Sequence, residues 1–277
     1  MTTFMDQVAA AAIELARGGR WERAIGLLDA AHEEVRTEPD GTHARIAMAA
    51  VEVALEQDWW VGTDTARERL QTAEKAGAQG WQLDFLRLRK DYLDLIHPAG
   101  GRFQPGPWGK DPDTIARLEH QGKQLRRTAP GAAEAGWAEM YLGLIADNLR
   151  ADRKAAPAHY EKALAAAAHD GLLAWEALRH LGDHDHDRGQ HTAALDRWRR
   201  ATTLGAGAGT VPGTLSQQLL LAVLARDAGD EAAATAVATE VAHGAQALGA
   251  TRIRDNANGF LSGTDPTAAP ANTSGRS

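Results

Sequence analysis

The chain has 277 residues, enough for one large domain or two small ones and for a sizeable core. Its formal charge of −7 and isoelectric point near 5.9 argue against a general nucleic-acid binder, and the absence of cysteine excludes disulfides, thiolate metal sites and cysteine nucleophiles. No apolar run approaches the roughly 18 residues of a membrane span, and Asp6 and Glu14 break the apolar N-terminus, so a cytoplasmic protein without membrane or nucleic-acid partners is expected.

Apolar residues recur at helical spacing almost everywhere, and sustained strand-like alternation is nearly absent, which predicts an all-α chain of helices about 12–18 residues long. Breaks fall at 39–42, 77–80, 98–112, 129–131, 169–171 and 205–213, where Gly, Pro and Asp cluster. The first unit carries Ala12, Leu15, Gly19, Trp21, Ala24, Leu28 and Ala31; a weaker second carries Ala54, Ala66, Leu70 and Ala73. Trp59 and Trp60 follow Asp58 at the second hairpin turn, where an exposed indole could mark a contact or homodimer surface. The third unit is irregular: helices at 81–96 and 111–129 flank the loop HPAGGRFQPGPWGK (97–110). At fourteen residues that loop is long for a helix–helix connection. Two readings are open for it, a surface loop tucked on the edge and a flap over a groove. Gln104 and Asp111 depart from the phosphate-binding loop pattern around Gly109-Lys110.

Three later segments align with one another. Tyr141-Leu142-Gly143 precedes Ala156, Tyr160 and Ala163; Leu181-Gly182 precedes Gly189, Ala194, Trp198 and Ala201; Leu221-Ala222 precedes Gly229, Ala234, Ala238 and Val241. Gly143, Gly182 and Ala222 are 39 and 40 residues apart, and the fourth unit carries one extra residue in its turn. In each copy a small residue lets the second helix approach, a short turn reverses the chain, and a large side chain packs back. One such hairpin cannot bury its own face, so neighbours must stack. Residues 263–277 are small and polar and are expected to be disordered.

This pattern resembles the tetratricopeptide repeat, whose usual period is about 34 residues. The match is carried by Leu178, Leu181, Gly182, Gly189, His191, Ala194, Trp198 and Ala201 in the fifth unit and by the first-unit residues above. The longer period is similar to divergent repeats of actinobacterial regulators, and the excess of Arg (24) over Lys (6) suits GC-rich coding. The resemblance implies a right-handed α-solenoid of about six hairpins over residues 1–262, with Trp21 and Trp198 in its core.

The stretch HLGDHDHDRGQH (180–191) concentrates four histidines and three aspartates. Asp183, Asp185 and Asp187 have calcium-loop spacing, but Arg188 and Ala194 stand where Gly and Glu are required. The His-Asp pairs are also unlike those of helical phosphohydrolases, which need a further His and Asp on another core. His180 and His184, at i and i+4, are the two-ligand candidate if a divalent metal binds; no cofactor is otherwise expected. His191 matches a packing aromatic of the second helix. Asp185 stands where an apolar residue is usual and needs a partner such as Arg153 or Arg188.

The resemblance further implies that the first helix of each hairpin lines a concave groove. Carried over, the candidate binding residues are Trp137, Met140, Asp147 and Asn148, then Glu176, Arg179, Asp183, His186 and Asp187, then Arg226 and Asp227. The pairs Asp147-Asn148, His186-Asp187 and Arg226-Asp227 line up as a polar ladder, suited to binding a protein or a basic peptide, or to locking the register between repeats. The alternative is an enzyme using His186 as acid–base, Asp147 and Asp187 to orient it, and Arg226 against developing negative charge.

Overall fold

A computed structural model describes residues 3–36, 41–98 and 101–267; residues 268–277, most of the tail expected to be disordered, lie outside them. The described residues form thirteen α-helices and no strand. They are α1 (Phe4–Arg17), α2 (Trp21–Glu34), α3 (Thr42–Val61), α4 (Ala66–Lys75), α5 (Trp81–Ile96), α6 (Pro112–Thr128), α7 (Ala132–Leu144), α8 (Ala156–Ala166), α9 (Gly171–Asp187), α10 (His191–Gly207), α11 (Val211–Asp227), α12 (Glu231–Leu248) and α13 (Thr251–Leu261). No helix is long and apolar enough to cross a membrane.

Side-chain caps define several starts. Thr3 and Asp6 form a reciprocal capping box on α1, and Asp111, Asp170, Thr210 and Asp230 cap α6, α9, α11 and α12. Asp58 is buried and accepts from the backbone N–H groups of Thr65 and Ala66, which fixes the turn from α3 into α4. Gly189 adopts φ 71° and ends α9 before α10, so His180 and His191 do not share one helix.

The small residues do what the sequence pattern asks. A methyl group on Gly182 would sit 2.3 Å from Trp198 Nε1, and one on Gly143 would sit 2.5 Å from Tyr160. Trp198 and Tyr160 are fully buried there. Their rings fill the space that a glycine leaves between paired helices, which is why these two positions cannot carry a side chain. The extra residue of the fourth unit is absorbed by a π turn, Ile145–Leu149, that continues α7.

Each helix packs on the next, and odd-numbered helices also touch one another: α1 with α3, α3 with α5, α7 with α9, and α11 with α13. Among the described residues, the last helices meet the first ones. α13 contacts α3, and Arg252 donates to the carbonyls of Asp58 (2.8 Å) and Trp59 (2.7 Å). Leu248 of α12 packs against Gly19. The largest buried cluster accordingly joins Ala12, Trp21 and Leu28 of the first hairpin to Val241, Ala245, Ile253 and Phe260 of the last helices. This closure overturns the expectation for Trp59 and Trp60. They sit in the last turn of α3 and face inward, with Trp60 only 8% exposed.

Candidate functional site

Helices α1, α3, α5, α7 and α9 line a partly open chamber of about 330 Å³. Ile13 and Arg17 of α1 border it, as do Glu52, Glu56, Trp59 and Trp60 of α3. Trp81, Phe85, Arg89 and Tyr92 come from α5, Glu134, Trp137, Tyr141 and Leu144 from α7, and Trp175, Glu176 and His180 from α9. Five of the chain's eight tryptophans therefore line one space. The helical period explains the set: Trp81, Phe85 and Arg89 follow at i+4 on one face of α5, and Trp137, Tyr141 and Leu144 follow at i+4 and then i+3 on one face of α7. A second hollow, of about 580 Å³, adjoins the chamber and shares Arg17, Ala133, Asp170 and Leu172 with it.

The rings are held in place. Trp60 Nε1 donates to Glu56 at 3.0 Å, Trp81 Nε1 to the Leu125 carbonyl at 2.9 Å, and Trp137 Nε1 to Asp170 at 2.7 Å. Trp81 stacks on Phe85, and Tyr141 meets both Phe85 and Tyr92 edge-on. Such a wall presents ring faces already ordered before anything binds.

Charge inside the chamber is predominantly negative. Glu52, Glu56, Glu134, Asp170 and Glu176 face two guanidinium groups, Arg17 and Arg89. Arg89 lies 4.0 Å from Glu52 and 3.6 Å from Glu56, too long for tight pairing. Burial pushes the Glu176 carboxyl up to about 7, with further upward pressure from Glu56 and Asp183, and burial also raises Glu56. His180 moves the other way, to about 3, because burial and the Arg179 charge disfavour its cation. It is a neutral ring stacked on Tyr160.

No protein-family model matches the chain, and no curated protein is significantly similar to it.

The candidate residues read from the sequence divide into two groups. Trp137 and Glu176 line the chamber. His180, the first member of the candidate metal pair, also borders it, and the remaining candidates do not. Met140 is fully buried in a core cluster, and Tyr141, one position on, faces the chamber instead. Asp147 is a buried hub bonded to His184 (2.9 Å), Tyr160 (3.2 Å) and Arg153 (3.2 Å). Burial alone would raise its carboxyl, but the His184 bond and the Arg153 charge hold it below the usual range. Asn148 donates to Tyr92 Oη at 2.8 Å, and Arg179 Nε and Asp183 Oδ1 are buried without a hydrogen-bond partner. Burial pushes the Asp183 carboxyl up to about 6.

Polar links join some of these residues between the ends of α7, α9 and α11. Arg153 bridges Asp147 to Asp187, and His186 bonds Asp227 at 2.7 Å. Arg226 lies over the Phe260 ring and is held by Glu231 and the Phe260 carbonyl. The enzyme set His186, Asp147, Asp187 and Arg226 is therefore not brought to one place: Asp147 belongs to the buried hub and Arg226 to the α11–α13 contact. The His180–His184 metal pair is also not assembled, since His184 Nε2 is taken by Asp147 and His180 by its stack. His191 is exposed at the start of α10 and packs no core. Asp185 is paired by Arg188 (3.3 Å) and Arg197 (2.8 Å), while Arg153 goes elsewhere.

The loop 97–110 lies on the outer end of α5 in its described part. Gln104 N–H bonds the Ile96 carbonyl, and Gly106 N–H bonds the Asn148 carbonyl of the π turn. None of its described residues borders the chamber, and Phe103 and Trp108 are about half exposed. The tucked-loop reading fits this placement and the flap reading does not. Sequence reasoning missed most of the chamber wall. The signal available was the i, i+4 aromatic spacing of Trp81-Phe85 and Trp137-Tyr141, which on its own also describes an ordinary core.

Proposed function

We propose that the chain is a tetratricopeptide-like array of about six helical hairpins, wound as a right-handed solenoid and closed end to end, that acts as a binding module. Its chamber takes a small organic cation with an apolar or aromatic body. The observation that carries this reading is the wall itself: five tryptophans beside carboxylates that outnumber the bases. A cation over indole faces gains about 0.5–2 kcal/mol per contact, most when desolvated. Buried carboxylates that are costly to ionise alone become favourable once a cation sits beside them.

The volume chooses between partners. About 330 Å³ is at the small end of the range for small-molecule sites. It suits a free amine or quaternary ammonium compound better than the basic peptide segment that the concave-groove expectation implies. The ladder residues Asp147, His186, Asp187 and Asp227 then act as links that keep the hairpins in register.

The experiment is a titration of intrinsic tryptophan fluorescence with aromatic and aliphatic amines, quaternary ammonium compounds, and their neutral and carboxylate isosteres. Saturable changes for the cationic series, weakened at least tenfold in Trp137→Ala and Glu176→Gln, are expected. Binding of the carboxylates instead, or cation binding unaltered in both variants, would refute the reading.

A further inference from the structure

We propose that His186, His191 and Asp227 form a transition-metal site at the junction of the fifth and sixth hairpins, taking zinc or a similar divalent ion. This inference is independent of the chamber, which lies on other residues.

The three residues come from three helix ends: the last turn of α9, the first residue of α10 and the last residue of α11. One ligand atom from each lies within 4.8 Å of the others. Ligands about 2 Å from a tetrahedral zinc are roughly 3.3 Å apart, so the widest pair draws in by at most about 1.5 Å while His186 and Asp227 part slightly from 2.7 Å. His191 and Asp227 are exposed and can do so by side-chain rotation. His186 supplies the fixed point. Its ring is held beside Trp198, and its Nε2 already faces Asp227 Oδ2 at 2.7 Å.

The other ring nitrogen has a carboxylate near it but no bond to it. Nδ1 of His186 is buried without a hydrogen-bond partner, and Asp187 Oδ1 lies 4.0 Å from it. With Nε2 on the metal, a rotation of Asp187 that closes this gap would give Nδ1–H the acceptor that ligating histidines usually have. Two imidazoles and one carboxylate suit zinc, cobalt and nickel, and leave a coordination position for water. On binding, the hydrogen bond between His186 and Asp227 gives way to one bond from each to the metal. The ion then ties the Gly189 turn to the end of α11.

His32 and His43 form a rival pair, with Nε2 atoms 2.9 Å apart on α2 and α3. The test must separate the two. Untagged full-length protein is titrated with zinc chloride by calorimetry at pH 7.5, and cobalt(II) is added separately to read its visible absorption. His191→Ala and His43→Ala are compared with wild type. His191 is exposed, so its removal should leave the metal-free melting temperature unchanged. The expected result is one zinc per chain, affinity reduced tenfold or more in His191→Ala, and no change in His43→Ala. Zinc should raise the melting temperature of wild type and not of His191→Ala. Absence of saturable binding, or binding kept in His191→Ala and lost in His43→Ala, would overturn the site.

Discussion

Replacing Glu176 by glutamine should stabilise the protein above pH 7 and do little at pH 4.5. The folded Glu176 carboxyl is raised from 4.5 to about 7, chiefly by burial. The folded state therefore holds the proton more tightly than the unfolded chain. That contribution is fully present below the unfolded value and is lost as pH rises through about 7. At about 1.4 kcal/mol per pH unit, the raise corresponds to roughly 3 kcal/mol. The side chain is 26% exposed, and water at that edge screens part of it, so about 1–2 kcal/mol is the working figure. Glutamine keeps the shape and never ionises. For a chain of this size each kcal/mol moves the melting temperature by roughly 2–4 °C. Melting should be followed by circular dichroism from pH 4.5 to 8.5 in wild type and variant. The difference between them should be near zero at pH 4.5, grow through pH 5–7, and level off at about 2–8 °C in favour of the variant. A difference that is constant with pH, or a variant less stable at pH 8, would refute the burial argument. Addition of a cationic ligand should shrink the wild type's deficit, because the ionised carboxylate then has a partner.

Other outcomes follow from the same contacts. Gly182→Ala should cost about 1–3 kcal/mol by urea unfolding, because the new methyl meets Trp198 at 2.3 Å; equal stability would mean the α9–α10 spacing is not fixed by that contact. Trp198→Ala at the same contact should cost about 3–5 kcal/mol, read the same way. Asp147→Ala should be more damaging than Asp187→Ala, by about 3 kcal/mol or more, since it leaves buried His184 and Tyr160 Oη without their acceptor; similar midpoints for the two would remove the hub from the account. Arg252→Ala should raise hydrogen exchange at the end of α3 and in α13 together, whereas a change confined to α13 would argue that the two helices do not support one another.

The hairpins were legible because their logic is local. Gly143, Gly182 and the rings that fill their space recur at a fixed spacing, and the turn glycines stand where the chain reverses. Both irregular-unit helices lie within a residue of the predicted bounds. The chamber was not legible, for two physical reasons. First, its wall depends on helix rotation, and one residue on a helix is about 100°, enough to exchange Met140 for Tyr141. Second, whether a residue faces inward depends on where the chain ends go. Trp59 and Trp60 lie at a helix end and read as exterior until α13 is seen to cover α3. The ladder residues fall at the ends of α7, α9 and α11, where burial makes Asp147 a structural acceptor. His186 and Asp227 of the ladder instead meet His191, a residue read as a packing aromatic, which the Gly189 turn carries round to them.

An open stack of hairpins can gain or lose a unit at either end, and evolution uses that freedom to alter length. An array in which α13 is fastened to the end of α3 has given it up. Adding one hairpin would part Arg252 from the end of α3, and deleting one would leave Leu248 without Gly19 to meet. Here the number of hairpins behaves as a closure condition, much as strand number does in a barrel. Change must come by substitution along the inner wall.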